Sequence, residues 1–166
     1  PPRSTLFPYT TLFRSRGPHA LIMYFKEPEK TEEVMKGGWF HSGDIGILDS
    51  DRYITVADRK KDMVKTGGEN VSTREVEEVI YLDKRVQEVA VIGLPHQKWV
   101  EAVTAVVVPK QGEIITEEEI LHLCHRELAT FKCPKGVIFL EALPKTPTGK
   151  ILKREMRITY KDLFSR

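Results

Sequence analysis

Two runs of small and β-branched apolar residues, Val89–Ile92 and Ala102–Val108, constrain this chain more than any other feature. Runs of this composition are typical of buried strands. Pro95-His96-Gln97-Lys98-Trp99 makes a turn between them. Helix signals surround the pair. Ser72-Thr73-Arg74-Glu75 is a capping box, with Ser72 as N-cap and Glu75 returning to it. Val76, Val79 and Ile80 then follow at helical spacing, which predicts a short amphipathic helix to about Leu82. Thr116 and Glu119 form a second box, opening a helix with Ile120, Leu123, Cys124 and Leu128 on its inner face. Val137–Leu140 reads as a third core strand and Lys153–Lys161 as a terminal helix. Upstream, Ile45–Leu48 and Tyr53–Val56 flank Asp49-Ser50-Asp51-Arg52 as a hairpin. Mixed elements with hairpin-like links imply a small α+β domain, its largely antiparallel sheet packed by helices. The hairpin before Lys61 reads as the end of a preceding domain.

Composition excludes several classes. With 166 residues, 40% hydrophobic and 30% charged, the chain can bury an ordinary core and is not broadly disordered. No stretch approaches the roughly 18 apolar residues a membrane span needs. Cys124 and Cys133 are too few for a disulfide framework and suit a reducing, cytoplasmic compartment. The formal charge of +2 hints weakly at an anionic partner. That hint depends on Pro1–Ser15, PPRSTLFPYTTLFRS, which lacks an initiator Met, a signal-peptide core and any strand or helix periodicity. The string equals an in-frame translation of a common sequencing-adapter oligonucleotide, and reads as an assembly scar on a protein truncated at its N-terminus. The other reading is a disordered N-terminal arm. The segment holds Arg3 and Arg14 and no acidic residue. Without it, basic and acidic side chains are equal in number, and the basic character that remains is local, at Arg59–Lys61 and Lys150.

Some chemistry can be discounted. Thr148-Gly149-Lys150 resembles the tail of a phosphate-binding P-loop, but the upstream glycine is missing and Ile151 follows the lysine. His122 and His125, with Cys124 and Cys133 nearby, lack the paired, repeated spacing of zinc motifs. They read as a solvated helix face and buried thiols. Asp58-Arg59-Lys60-Lys61-Asp62 reads as a linker or exposed turn. Its acidic flanks and lack of an aromatic platform argue against a nucleic-acid partner. Thr66-Gly67-Gly68-Glu69-Asn70 holds adjacent glycines, where the backbone can take positive φ or approach another group closely.

What remains is an ordered set: Gly38-Trp39-Phe40-His41-Ser42-Gly43-Asp44, Asp58-Arg59-Lys60-Lys61-Asp62, Gly67-Gly68-Glu69-Asn70, and Pro144 through Lys150. From Arg16 to about Arg157 the chain resembles the C-terminal part of the adenylate-forming superfamily: acyl-CoA synthetases, firefly-luciferase-like enzymes and peptide-synthetase adenylation domains. The resemblance implies residues 16–60 as the tail of the AMP-binding domain with its hinge, and residues 61–166 as the mobile C-terminal domain. It implies a reaction in which ATP activates a carboxylic acid as an acyl-adenylate, and the acyl group then passes to CoA. Asp44 is then expected to accept hydrogen bonds from the ribose hydroxyls, and Arg59 to add nucleotide contacts. Lys61 falls at the hinge position. Lys150 matches the lysine that stabilises charge on the carboxylate and phosphate oxygens, carried on a loop that lets it enter and leave. Gly67, Gly68 and Glu69 match the loop facing the pantetheine tunnel, and Lys65 a position used by some relatives in thioester formation.

Mg and its ligands, the phosphate loop and the acyl pocket are expected upstream of Arg16. Met23 and Arg52 depart from the pattern, standing where relatives usually have glycine; Arg52 would strain a turn needing positive φ. The expected protein is a fatty-acyl-CoA ligase fragment, inactive alone, that works with its own N-terminal domain. The alternatives are a free-standing, non-catalytic docking module, or the end of a peptide-synthetase or luciferase-like enzyme.

Overall fold

The computed structural model describes Thr10–Ser165. Of the segment Pro1–Ser15, residues Pro1–Tyr9 therefore lie outside the described residues. The chain divides into two compact units, with the boundary between Lys61 and Asp62.

The first unit is a three-stranded sheet of β1 (Thr10–Ser15), β2 (Phe40–Leu48) and β3 (Ile54–Arg59), in the order β1-β2-β3. The expected hairpin is present as β2–β3, and both strands are longer than their apolar runs. Two differences from the sequence reading have physical causes. Thr10–Ser15 forms a strand without apolar alternation, because its backbone pairs antiparallel with β2 from Thr10↔Ile47 to Ser15↔Phe40. Asp58 and Arg59 belong to β3 rather than to a turn. Their cross-strand partners are Ile45 and Asp44, and ladder bonds outweigh side-chain polarity there. A helix, α1 (Pro28–Val34), was not expected, since it has no buried face; Pro28 at its start and Glu29 in its first turn are its only signals. Among the described residues of this unit only Gly46 is buried. Leu12, Ile47, Leu48, Ile54 and Val56 are all exposed.

The second unit holds the core. Its strands are β4 (Val64–Thr66), β5 (Glu69–Val71), β6 (Val86–His96), β7 (Val100–Pro109) and β8 (Gly136–Phe139), ordered β5-β4-β7-β6 with β8 also on β7. All pairings are antiparallel except β7 with β8, which is parallel because a helical crossover joins the two. The helices are α2 (Thr73–Ile80), α3 (Glu117–Glu127) and α4 (Lys153–Thr159).

This layering explains the uninterrupted apolar runs. Successive side chains of a strand point to opposite faces. Val89 and Val91, with Val103, Ala105 and Val107, join Val76, Ile80, Ile120 and Cys124 in one cluster. Ala90 and Ile92, with Val106 and Val108, join Met156 in the other. A sheet covered on both faces must be apolar at every position.

Caps fix the helix starts. Thr116 and Glu119 form the complete capping box. At α2 the serine half is present, Glu75 N donating to Ser72 Oγ at 3.4 Å, while the Glu75 carboxylate is held by Lys132 Nζ at 2.7 Å.

Two non-glycine residues bear on turn strain. Arg52 adopts φ 67°, as its position in the hairpin turn implied. Val100, a β-branched residue, adopts φ 69° and is 71% exposed, so its side chain contributes little packing to offset the strain. Val100→Gly is expected to stabilise the second unit by about 1 kcal/mol, raising its thermal midpoint by several degrees as followed by circular dichroism.

Candidate functional site

The β2–β3 hairpin carries the first group of expected residues. Asp44 and Arg59 are cross-strand partners, and Arg59 Nε lies 3.7 Å from Asp44 Oδ1. The register shifts just beyond them, between Ile45 and Gly46, and such a bulge re-aims the side chains on either side. Gly43 has φ 76°, Lys60 N donates to Gly43 O at 2.9 Å, and Asp44 N donates to Ser42 Oγ at 3.1 Å. Ser42, Gly43, Arg59, Lys60 and Lys61 line an open cleft of about 480 Å³. The Ser42 hydroxyl is spent within the protein, donating to Phe13 O at 3.2 Å, and the three cationic side chains beside the partly exposed Asp44 carboxylate suit a ligand with both hydroxyl and anionic groups. Arg59, Lys61 and Asp44 are the residues the sequence motifs single out here, whereas Ser42 and Lys60 join the cleft wall without a role implied by their motifs.

Lys61 ends the first unit, inside the turn that follows β3. Asp62, on the other side of the boundary, is held by Arg157 of α4 at 3.1 Å.

In the second unit the glycine pair forms the two-residue turn of the β4–β5 hairpin, with Thr66 opposite Glu69 and Lys65 opposite Asn70. Gly67 and Gly68 have φ 58° and 90°, and positive φ at both central residues is the requirement of a tight hairpin turn. No heavy atom lies within 4 Å of where a Gly68 Cβ would stand, so the turn projects into open space. Its base is tied down: Lys65 N donates to Glu101 Oε2 at 2.7 Å, and Gly67 N to Trp99 O at 3.0 Å. Trp99 was read only as a turn residue. Its ring stacks on His96 at 4.2 Å, with Lys98 and Lys135 ammoniums 5.6 and 5.2 Å from its centre. A lone tryptophan in a polar turn is the sequence signal for such a platform.

Lys150 lies on a separate loop of the same unit and is exposed. The loop is braced rather than slack. Lys145 and Ile151 form an antiparallel bridge, and Thr146 N donates to Lys150 O at 2.8 Å. Gly149, at φ 82°, closes the turn by donating to Thr146 O at 2.9 Å. Hydrogen bonds within the loop and the bridge at its base thus shape the turn on which Lys150 stands. Of the expected residues, the structure thus gathers Asp44, Arg59 and Lys61 on the first unit. It gathers Lys65, Gly67, Gly68 and Glu69 on one hairpin of the second, with Lys150 on another loop.

The discounted thiols are in the core. Cys124 and Cys133 are free and fully buried, whereas His122 and His125 are exposed. Burial, reinforced by neighbouring Cys133, pushes the Cys124 thiol up to about 12, and burial also raises that of Cys133. Both thiols are expected to react with a thiol-specific reagent at pH 8 only as fast as the second unit unfolds. Among the described residues, no group of three or more His, Cys, Asp or Glu could hold a metal ion. No helix among them is long and apolar enough to cross a membrane.

Residues 75–150 match the family described as AMP-binding enzyme C-terminal domain. Over that segment the chain is similar to the C-terminal domain of AMP-binding enzymes. The Mycobacterium tuberculosis long-chain-fatty-acid–CoA ligase FadD13 is 49% identical over 137 residues, covering 82% of this chain and 27% of the ligase. A long-chain-fatty-acid–CoA ligase of Escherichia coli O157:H7 is 43% identical over 142 residues, covering 86% of this chain and 25% of that protein. Among solved structures, ATP-bound MatB from Rhodopseudomonas palustris superimposes with a TM-score of 0.83 at 43% identity, over 90% of this chain and 30% of that one. The chain thus spans about a quarter to a third of the relatives it matches. The small α+β domain with its mostly antiparallel sheet is the architecture these proteins share with it.

Proposed function

We propose that this chain works as the C-terminal part of an ATP-dependent, AMP-forming acid–CoA ligase acting on a fatty acid. The observation that carries the reading is the match of residues 75–150 to the AMP-binding enzyme C-terminal domain, together with a preceding hairpin that pairs Asp44 with Arg59. The names of the relatives support CoA as the acyl acceptor and a fatty acid as the substrate. Asp44 accepts hydrogen bonds from the ribose hydroxyls of ATP, and Arg59 and its neighbouring lysines contact the phosphates. Lys150 places a point charge against the oxygens that turn negative as the carboxylate attacks the α-phosphorus. Pyrophosphate leaves and an acyl-adenylate remains.

The second unit then turns about Lys61, the last residue before the unit boundary, and Asp62 moves with α4 through Arg157. The side-chain-free Gly67–Gly68 turn now faces the reacting centre, leaving room for the thin thiol arm of CoA. Lys65 and Glu69 flank that turn. Thiolate attack on the adenylate carbonyl releases AMP and forms the thioester. Mg²⁺ would accompany the ATP, and among the described residues no group of three or more His, Cys, Asp or Glu could hold it. The first unit buries no apolar side chain among its described residues, as expected of a strip of a larger domain. Two reduced, buried thiols suit the cytoplasm.

The test is a graft. Residues from Arg16 onward replace the matching segment of the Mycobacterium ligase, and acid-dependent ATP–pyrophosphate exchange is measured. The graft is expected to exchange, and Arg16–Arg166 alone to release no AMP. A folded graft without exchange, or turnover by the chain alone, contradicts the reading.

A further inference from the structure

The loop that carries Lys150 is far more closely held than exposure and composition suggest. At its centre sits Thr146, half-buried while its neighbours through Lys150 are exposed. Its hydroxyl accepts from Lys150 N at 3.0 Å and shares a hydrogen bond with the Thr148 hydroxyl at 2.9 Å. Its own N–H donates to Lys150 O at 2.8 Å, and its carbonyl accepts from Gly149 N at 2.9 Å. One residue therefore holds both backbone polar groups of Lys150 and shapes the turn before it.

Both ends of the loop are fixed to the core. Leu152 N donates to Pro144 O at 2.8 Å, closing the loop at its neck. On one side Lys145 pairs with Glu88 of β6. On the other, Lys153 Nζ lies 2.7 Å from Glu77 Oε1 and donates to Thr73 Oγ1 at 2.8 Å, both on α2. Glu77 is itself anchored, accepting from Val91 N in β6 at 2.7 Å. Below the loop, Leu143 and Met156 are buried against Ile92 and Val106. The chain of support runs from the central strands through two ion pairs to the loop base, and through the Thr146 hydroxyl to Lys150.

We propose that Thr146 is a positioning residue for Lys150, with the Lys153–Glu77 pair as the clamp that fixes the loop base. This rests on the assignment of Lys150 to the adenylation step. A flexible lysine side chain has four rotatable bonds, so its reach is set by where its Cα is held. Displacing a charge by about 1 Å from developing negative charge can cost on the order of a hundredfold in rate.

The experiment uses two readouts. In the graft, Thr146→Val is expected to slow ATP–pyrophosphate exchange about tenfold or more, while conversion of supplied acyl-adenylate and CoA to thioester is unchanged. Thr146→Ser, which restores the hydroxyl, is expected to recover exchange, and Lys153→Met to slow it by a smaller factor. In the 166-residue chain itself, the Lys150 amide is expected to lose protection from hydrogen exchange in Thr146→Val and keep it in Thr146→Ser. Unchanged pyrophosphate exchange in Thr146→Val overturns the proposal, as does an equal loss in both half-reactions. If Lys150→Ala leaves pyrophosphate exchange intact in the same graft, the assignment of Lys150 fails instead. The amide protection then still decides whether Thr146 holds Lys150.

Discussion

Lys150→Ala in the graft is expected to lose ATP–pyrophosphate exchange by a factor of about 10² to 10³, the usual loss when one preorganised donor to developing charge is removed. The second half-reaction, from supplied acyl-adenylate and CoA, is expected to survive. The separation follows from the geometry. Lys150 is exposed, and the bonds that shape its loop run through its backbone, so the substitution removes an ammonium without removing a support. The Gly67–Gly68 turn is tied to Glu101 and Trp99, which are remote in sequence from that loop. Lys150→Arg is expected to restore little, because a planar guanidinium cannot substitute for a compact charge on a flexible stem. The check is a pair of assays on one preparation, pyrophosphate exchange and thioester formation. Loss of both together would mean that Lys150 serves the fold or both steps.

Ile80→Ala carries the largest expected effect on stability. Ile80 ends α2 and is fully buried with Val76 against the sheet, in the cluster that includes Val91, Val103 and Ile120. Removing its branched side chain leaves a cavity between helix and sheet, a change worth about 2–5 kcal/mol. For a unit of this size the thermal midpoint is expected to fall by on the order of 10 °C or more. The loosened helix also carries Glu77 and Thr73, the partners of Lys153, so exchange in the graft should fall at temperatures where the unit is still folded. Calorimetry and denaturant titration of the variant measure the first effect directly.

Local chemistry was legible in the sequence, and long-range pairing was not. The capping residues Ser72 and Thr116 start their helices, and the glycine pair makes the tight turn its spacing implies. The apolar runs became β6 and β7 because burial on both faces demands uninterrupted hydrophobicity. The first of them extends beyond its run, from Val86 to His96, since backbone pairing with β7 continues through the polar Glu88 and His96. Asp58 and Arg59 were misread for the same reason, polar side chains on a strand whose ladder ignores them. The parallel pairing of β8 could not be read from its own residues, because direction is set by the α3 crossover. Asp44 and Arg59 were recognised through their motifs, but their cross-strand pairing required the register. Glu77, Glu88 and Arg157 left no local mark, since each finds its partner scores of residues away in sequence.

The most direct test of the central claim is product stoichiometry in the graft, supplied with a long-chain fatty acid, Mg-ATP and CoA. AMP and acyl-CoA are expected in equal amounts, with neither formed when the segment from Arg16 onward is deleted. Equal product in the deleted protein, or AMP without thioester from a folded graft, would contradict the role assigned to this chain.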